Sequence, residues 1–198
     1  MTEFESLLNE VKACTICEPH LPQGVRPVFQ MHPDARILIA GQAPGRKVHE
    51  SGVPFDDASG NRLREWLGVS REVFYDPSLI AILPMGFCYP GSFTKGTGKS
   101  GDLPPRPECE PAWRERLLAH LPNLKLTIVL GKYAQASHFG KSNKSLTELV
   151  KSWRDVWPHA IPLPHPSPRN NIWLHKNAWF EAELLPPLKA KVSEILVR

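Results

Sequence analysis

The chain has 198 residues, 41% of them hydrophobic and 22% charged, with a net charge of +4. That length suits one sizeable domain over residues 1–198 and is too short for two, and the composition is that of an ordinary soluble globular protein. No apolar run approaches bilayer length, and the opening MTEFESLLNE carries acids where a signal peptide needs positive charge before an apolar stretch.

In chain order, Phe4, Leu7, Leu8 and Val11 recur at helical spacing, predicting an amphipathic helix over 2–13 that runs into Cys14. The apolar run RILIAG at 36–41 reads as a buried strand, followed by a helix over 59–67 with Leu63, Trp66 and Leu67 on one face. SLIAIL at 78–83 is a second strand, and a long Pro/Gly-rich loop follows from Pro84 to about Pro107. Beyond it come a helix over 110–120, a strand at 125–130, helices over 131–138 and 144–153, and a strand at 160–164. The end, 172–197, reads as one or two helices interrupted at Pro186 and Pro187. Strands alternating with helices predict a parallel sheet covered on both faces, with ligands beyond the carboxyl ends of the strands. There the sequence places GQAPG, PMGFCYP and HPSPRN at one edge.

Four cysteines in a chain expected in a reducing, cytoplasmic compartment point to metal binding more than to disulfides. Cys14 and Cys17 form a C-x-x-C pair, while Cys88 and Cys109 bracket the long loop. Spacing alone suits a tetrahedral zinc and a cubane cluster equally. Gly41-Gln42-Ala43-Pro44-Gly45 permits a tight turn that brings backbone close to a ligand. His165-Pro166-Ser167-Pro168-Arg169-Asn170 is a rigid segment with a histidine at one end and a phosphate-binding arginine near the other. Taken singly, each has an ordinary structural reading.

Together these pieces, with Gly52-Val53-Pro54-Phe55, Cys88-Tyr89-Pro90 and Arg106-Pro107-Glu108-Cys109, resemble the uracil-DNA glycosylase superfamily, in particular its iron–sulfur class, family 4. The resemblance covers about residues 10–185. It implies a three-layer α/β/α sandwich around a central four-stranded parallel sheet. It also implies a monofunctional DNA glycosylase, monomeric and without a membrane partner, that removes uracil or another deaminated base from a flipped nucleotide in DNA. By the same resemblance a 4Fe-4S cluster sits on Cys14, Cys17, Cys88 and Cys109, with a structural role. His165 stabilises the departing base, Phe55 stacks on it, and Gly41, Gln42 and Ala43 hold its edge and the water. Pro166, Ser167, Pro168 and Arg169 press on the DNA backbone.

The sequence departs from that pattern at three places. Gln42 replaces a glutamate, Val48-His49 replaces an acidic pair, and Pro84 replaces the asparagine that reads the base edge. Asp56 and Asp57, just after Phe55, are the candidate replacements, alongside a helix-capping reading for the same pair. A relative that binds damaged or abasic DNA without turnover is the alternative expectation.

Overall fold

The computed structural model describes residues 2–94, 96, 98 and 100–197. Residues 1 and 198 of the expected domain, and 95, 97 and 99 of the expected long loop, lie outside them. Helix α1 (Glu3–Lys12) starts at a capping box, in which the Thr2 hydroxyl accepts from the Glu5 N–H and the Glu5 carboxylate accepts from the Thr2 N–H. Strand β1 (Ile37–Ala40) leads to α2 (Arg46–Ser51), α3 (Ala58–Leu67) and α4 (Arg71–Phe74), then β2 (Ile80–Ile82). After the long loop come α5 (Cys109–Leu118), β3 (Leu126–Leu130), α6 (Gly131–Phe139), α7 (Leu146–Lys151) and β4 (Ala160–Leu163). Helix α8 (Asn171–Lys176), a π-helical turn at Phe180–Leu184 and α9 (Leu185–Leu196) finish the chain.

All four predicted strands are present and pair in parallel in the order β2-β1-β3-β4. Strand alternation divides the core. Ile37, Ile39, Ile80, Ile128 and Ile161 face the layer that includes α3 and α9, while Leu38, Ala81 and Leu83 face α1 and α5. Both faces are therefore apolar and covered, as a parallel sheet requires. The two connections from β1 and from β3 leave toward opposite sides, so a crevice opens beyond the carboxyl ends of those two strands.

The C-terminal prediction needs one correction. Pro186 and Pro187 do not interrupt a helix; they lie in the first turn of α9, where a missing N–H has no intrahelical partner to lose. The break falls earlier, at Asn177 and the π-helical turn, which buries Phe180 and Leu184 completely. Short helices α2 and α4 have no apolar periodicity long enough to announce them.

A buried cation ties the layers below the crevice. Arg114 of α5, 5% exposed, donates to the Leu83 carbonyl at 2.9 Å and faces Nε2 of His138, on α6, at 2.6 Å. Burial, with Arg114 alongside, pushes the His138 imidazole down to about 4, while burial lowers Arg114 to about 10. Native His138 thus binds its proton only near pH 4, whereas an unfolded imidazole binds it near pH ~6.5. Between those values the unfolded state holds more protons. Stability should therefore fall as the pH drops through that window, by up to ~1.4 kcal/mol per pH unit for one proton, and level off below it. Denaturant titrations of wild type and His138→Gln from pH 7 to pH 4 check this, the variant showing the shallower decline.

Candidate active site

Backbone pairing continues past the strand ends and sets the first wall of the crevice. The Met85 N–H donates to the Gly41 carbonyl at 2.9 Å and the Gly86 N–H to the Gln42 carbonyl at 3.0 Å. The loops after β1 and β2 are thereby held edge to edge. Together with Phe55–Ser59 except Asp56, Ser100–Asp102 and the loop after β4, they enclose a cavity of about 470 Å³, within the size range of small-molecule sites. Gly41, Gln42, Ala43, Phe55, Pro84, His165, Ser167, Pro168 and Arg169 all line it. Pro166 is buried behind that wall.

Phe55 takes a left-handed backbone conformation, φ 54°, that a bulky residue rarely adopts. Two neighbours hold it there. A Cβ on Gly60 would come 1.7 Å from the Phe55 carbonyl oxygen, so only glycine lets the start of α3 pass so close. Phe74 packs edge-on against the Phe55 ring at 6.2 Å. The far end of that ring lies 3.6 Å from the Cβ position of Gly41, which leaves it flanking the motif loop.

His165 is enclosed by protein yet open to the cavity. Its Nδ1 accepts from the Ser167 N–H at 3.2 Å, so the neutral ring carries its proton on Nε2. Burial holds the imidazole below its usual range, against the opposing pull of the Asp57 and Asp102 charges. The loop is fixed from both ends. Asn170 donates to the His165 carbonyl at 2.7 Å, and Arg62 of α3 donates to the Ser167 carbonyl at 3.1 Å and to Asn171 Oδ1 at 2.7 Å. Sequence reasoning missed Arg62, whose only signal is its place two residues after Gly60. The Ser167 hydroxyl accepts from the Arg169 N–H at 3.2 Å, and the Arg169 guanidinium lies against Gly101, where a Cβ would be 2.0 Å from Nη1.

The acids separate. Asp57 caps α3, accepting from the Gly60 N–H at 2.9 Å, and lines the cavity. Asp56 is turned away into an ion pair with Arg71 at 3.0 Å and does not line it. The Gln42 side-chain amide donates to the Leu103 carbonyl at 3.3 Å. Asp102, which the sequence did not single out, lines the cavity from the long loop.

A second, apolar cavity lies between α1 and the long loop, and Cys14, Cys17, Cys88 and Cys109 all line it. The Trp113 indole N–H donates to the Cys14 sulfur at 3.3 Å and the Phe87 N–H to the Cys109 sulfur at 3.4 Å. Burial raises the Cys17 thiol, and pushes Cys88 to about 11 and Cys109 to about 12. Deprotonated sulfur there needs a positive centre to offset it. Among the described residues, no three His, Cys, Asp or Glu side chains gather closely enough to hold a metal ion as they stand. The four cysteines instead line one cavity, a donor set suited in chemistry to a thiolate-bound group of several atoms.

The profile of the uracil DNA glycosylase superfamily matches residues 29–189. The chain is also similar to a type-4 uracil-DNA glycosylase of Thermotoga maritima, 29% identical over 172 residues that cover 83% of this chain and 81% of that protein. A solution NMR structure from Methanosarcina acetivorans, described as a candidate uracil DNA glycosylase, superposes with a TM-score of 0.46 and 16% identity. It covers 82% of this chain and 98% of the other.

The contact between Gly60 and Phe55 yields a direct test. Gly60→Ala should lower stability by ~1–3 kcal/mol, the usual cost of forcing an extra methyl into a packed site, because the Phe55 backbone must move. Urea denaturation reads the stability, and unchanged stability would show that the close approach carries no constraint.

Proposed function

Because the chain belongs to the uracil DNA glycosylase superfamily, we propose that it hydrolyses the N-glycosidic bond of uracil or another deaminated base in DNA, as a single-domain cytoplasmic monomer. The observation that carries this reading is the tautomer of His165, whose engaged Nδ1 leaves Nε2–H as the donor of a ring that lines the cavity. Bond cleavage puts negative charge on the departing base and positive charge on the sugar. A fixed N–H donor in a partly dehydrated cavity stabilises the first, and its low pKa keeps the ring neutral near pH 7. The carboxylate of Asp57, oriented by its capping bond, answers the second.

A nucleotide flipped into the cavity meets the ring of Phe55 as its stacking partner, with Gly41, Gln42 and Ala43 along its edge. Ser167, Pro168 and Arg169 form the rim that meets the DNA backbone, Pro168 and Arg169 being exposed; Pro166, expected from the sequence to join them, is buried and holds the rim from behind. With Pro84 in the wall, the base edge meets no side-chain amide there. One observation favours the competing reading of a binder without turnover: the Gln42 amide is engaged by Leu103 and Pro84 brings no donor.

Cys14, Cys17, Cys88 and Cys109 would hold a 4Fe-4S cluster. When bound, it supplies iron–thiolate bonds that clamp the 88–109 loop onto the end of α1, with no redox step in base release. The apolar wall and the N–H donors to sulfur support that reading. Anaerobically purified protein should be brown and carry iron and acid-labile sulfide in equal amounts, with no zinc; a colourless zinc protein would sink the assignment.

Base release is tested on single- and double-stranded oligonucleotides carrying uracil, hypoxanthine or xanthine, followed by alkaline cleavage. The expected result is release of at least one base and a fall of about a hundredfold in His165→Ala, typical of losing one transition-state donor. DNA binding with no base released would select the non-catalytic reading.

A further inference from the structure

We propose that Asp102 is the water-activating carboxylate of this site, standing in for the acid that the Gln42 loop lacks; the inference rests on the glycosylase reading above. Asp102 belongs to neither sequence motif and reaches the cavity because the long loop folds back on itself. Ser92 and Asp102 form an isolated antiparallel bridge, the Phe93 N–H donates to the Gly101 carbonyl at 2.9 Å, and the Leu103 N–H to the Gly91 carbonyl at 2.8 Å. The return limb is then anchored on both motif loops, through Gln42 to the Leu103 carbonyl and through Arg169 against Gly101.

The side chain is oriented by a chain of hydroxyls. The Ser92 hydroxyl donates to Asp102 Oδ1 at 2.9 Å and in turn bonds the hydroxyl of Tyr89, 1% exposed, at 2.7 Å. With Ser92 donating to the carboxylate, Tyr89 is the donor to Ser92, so both protons point toward Asp102 and fix the orientation of its side chain. Oδ2 is left over the motif loop, 3.4 Å from the Cβ position of Gly45. A carboxylate beside the departing base would oppose its negative charge, whereas beside the sugar it complements the positive charge that develops there. That sign assigns Asp102 to the water side of the reaction and His165 to the base side. Asp57 lines the same cavity, but its orientation is accounted for by capping α3.

In the step itself, the water oxygen bonds to C1′ while the C1′–N bond breaks and its electron pair leaves with the base. Asp102 takes the water proton on Oδ2, and that proton returns through solvent to the released base.

Asp102→Asn separates this role from a purely structural one, because the amide oxygen still accepts from Ser92 while the group no longer takes a proton. Single-turnover base release should fall at least about a hundredfold, with DNA affinity and melting temperature unchanged. In Asp102→Ala, added formate should restore part of the rate. Wild-type single-turnover release by Asp102→Asn, or a loss explained wholly by weaker DNA binding or a lowered melting temperature, overturns the inference. If the wild-type protein releases no base from any of the oligonucleotides, the glycosylase reading itself fails and this inference falls with it.

Discussion

Two backbone hydrogen bonds beyond the end of the sheet, from Met85 to Gly41 and from Gly86 to Gln42, position almost everything that follows. The strands are only three to five residues long, so the sheet by itself offers a narrow rim. Extending the β1–β2 pairing into the loops fixes the motif loop against Pro84 and launches the chain toward Cys88 in a set direction. Without that zipper, the walls of the cavity would be two independent loops. The described residues of 84–108 form no helix and no named strand, so what positions them is the set of ties they make to the rest of the fold.

The ties are of different chemical kinds at its two faces. On the cavity side they are polar: Gln42 on the Leu103 carbonyl, Ser92 on Asp102, and Arg169 across Gly101. On the far side they are the thiols of Cys88 and Cys109, set in an apolar wall with Cys14 and Cys17. One segment therefore joins the cysteine cavity to the larger cavity at the carboxyl edge of the sheet.

Within the larger cavity, burial and charge act against each other on His165. Desolvation lowers its pKa, while Asp57 and Asp102 pull it upward, and the net direction is down. That balance gives a neutral donor beside two acids, an arrangement suited to a reaction that separates charge between base and sugar. Phe55 completes the site in a backbone conformation that its own side chain disfavours and that Gly60 alone permits.

The sequence by itself determined the alternation of buried strands and helices, hence the parallel sheet, and the edge at which the motif loops meet. Those features depend on local periodicity and on glycine and proline, which act within a few residues of themselves. It also carried the motif residues His165, Phe55, Gly41 and the four cysteines, because each stands in a short, fixed context. It did not separate Asp56 from Asp57, since adjacent residues look alike until one caps α3 and the other meets Arg71. Nor did it mark Arg62 or Asp102, whose partners lie 104–109 residues away and across a folded-back loop, respectively. The prolines at 186 and 187 read as breakers because proline's effect depends on its position in a helix, and the buried turn at Phe180–Leu184 is what placed them at a start. Only tertiary packing decides such matters, because a side chain's chemistry at the site is set by what the fold brings to face it.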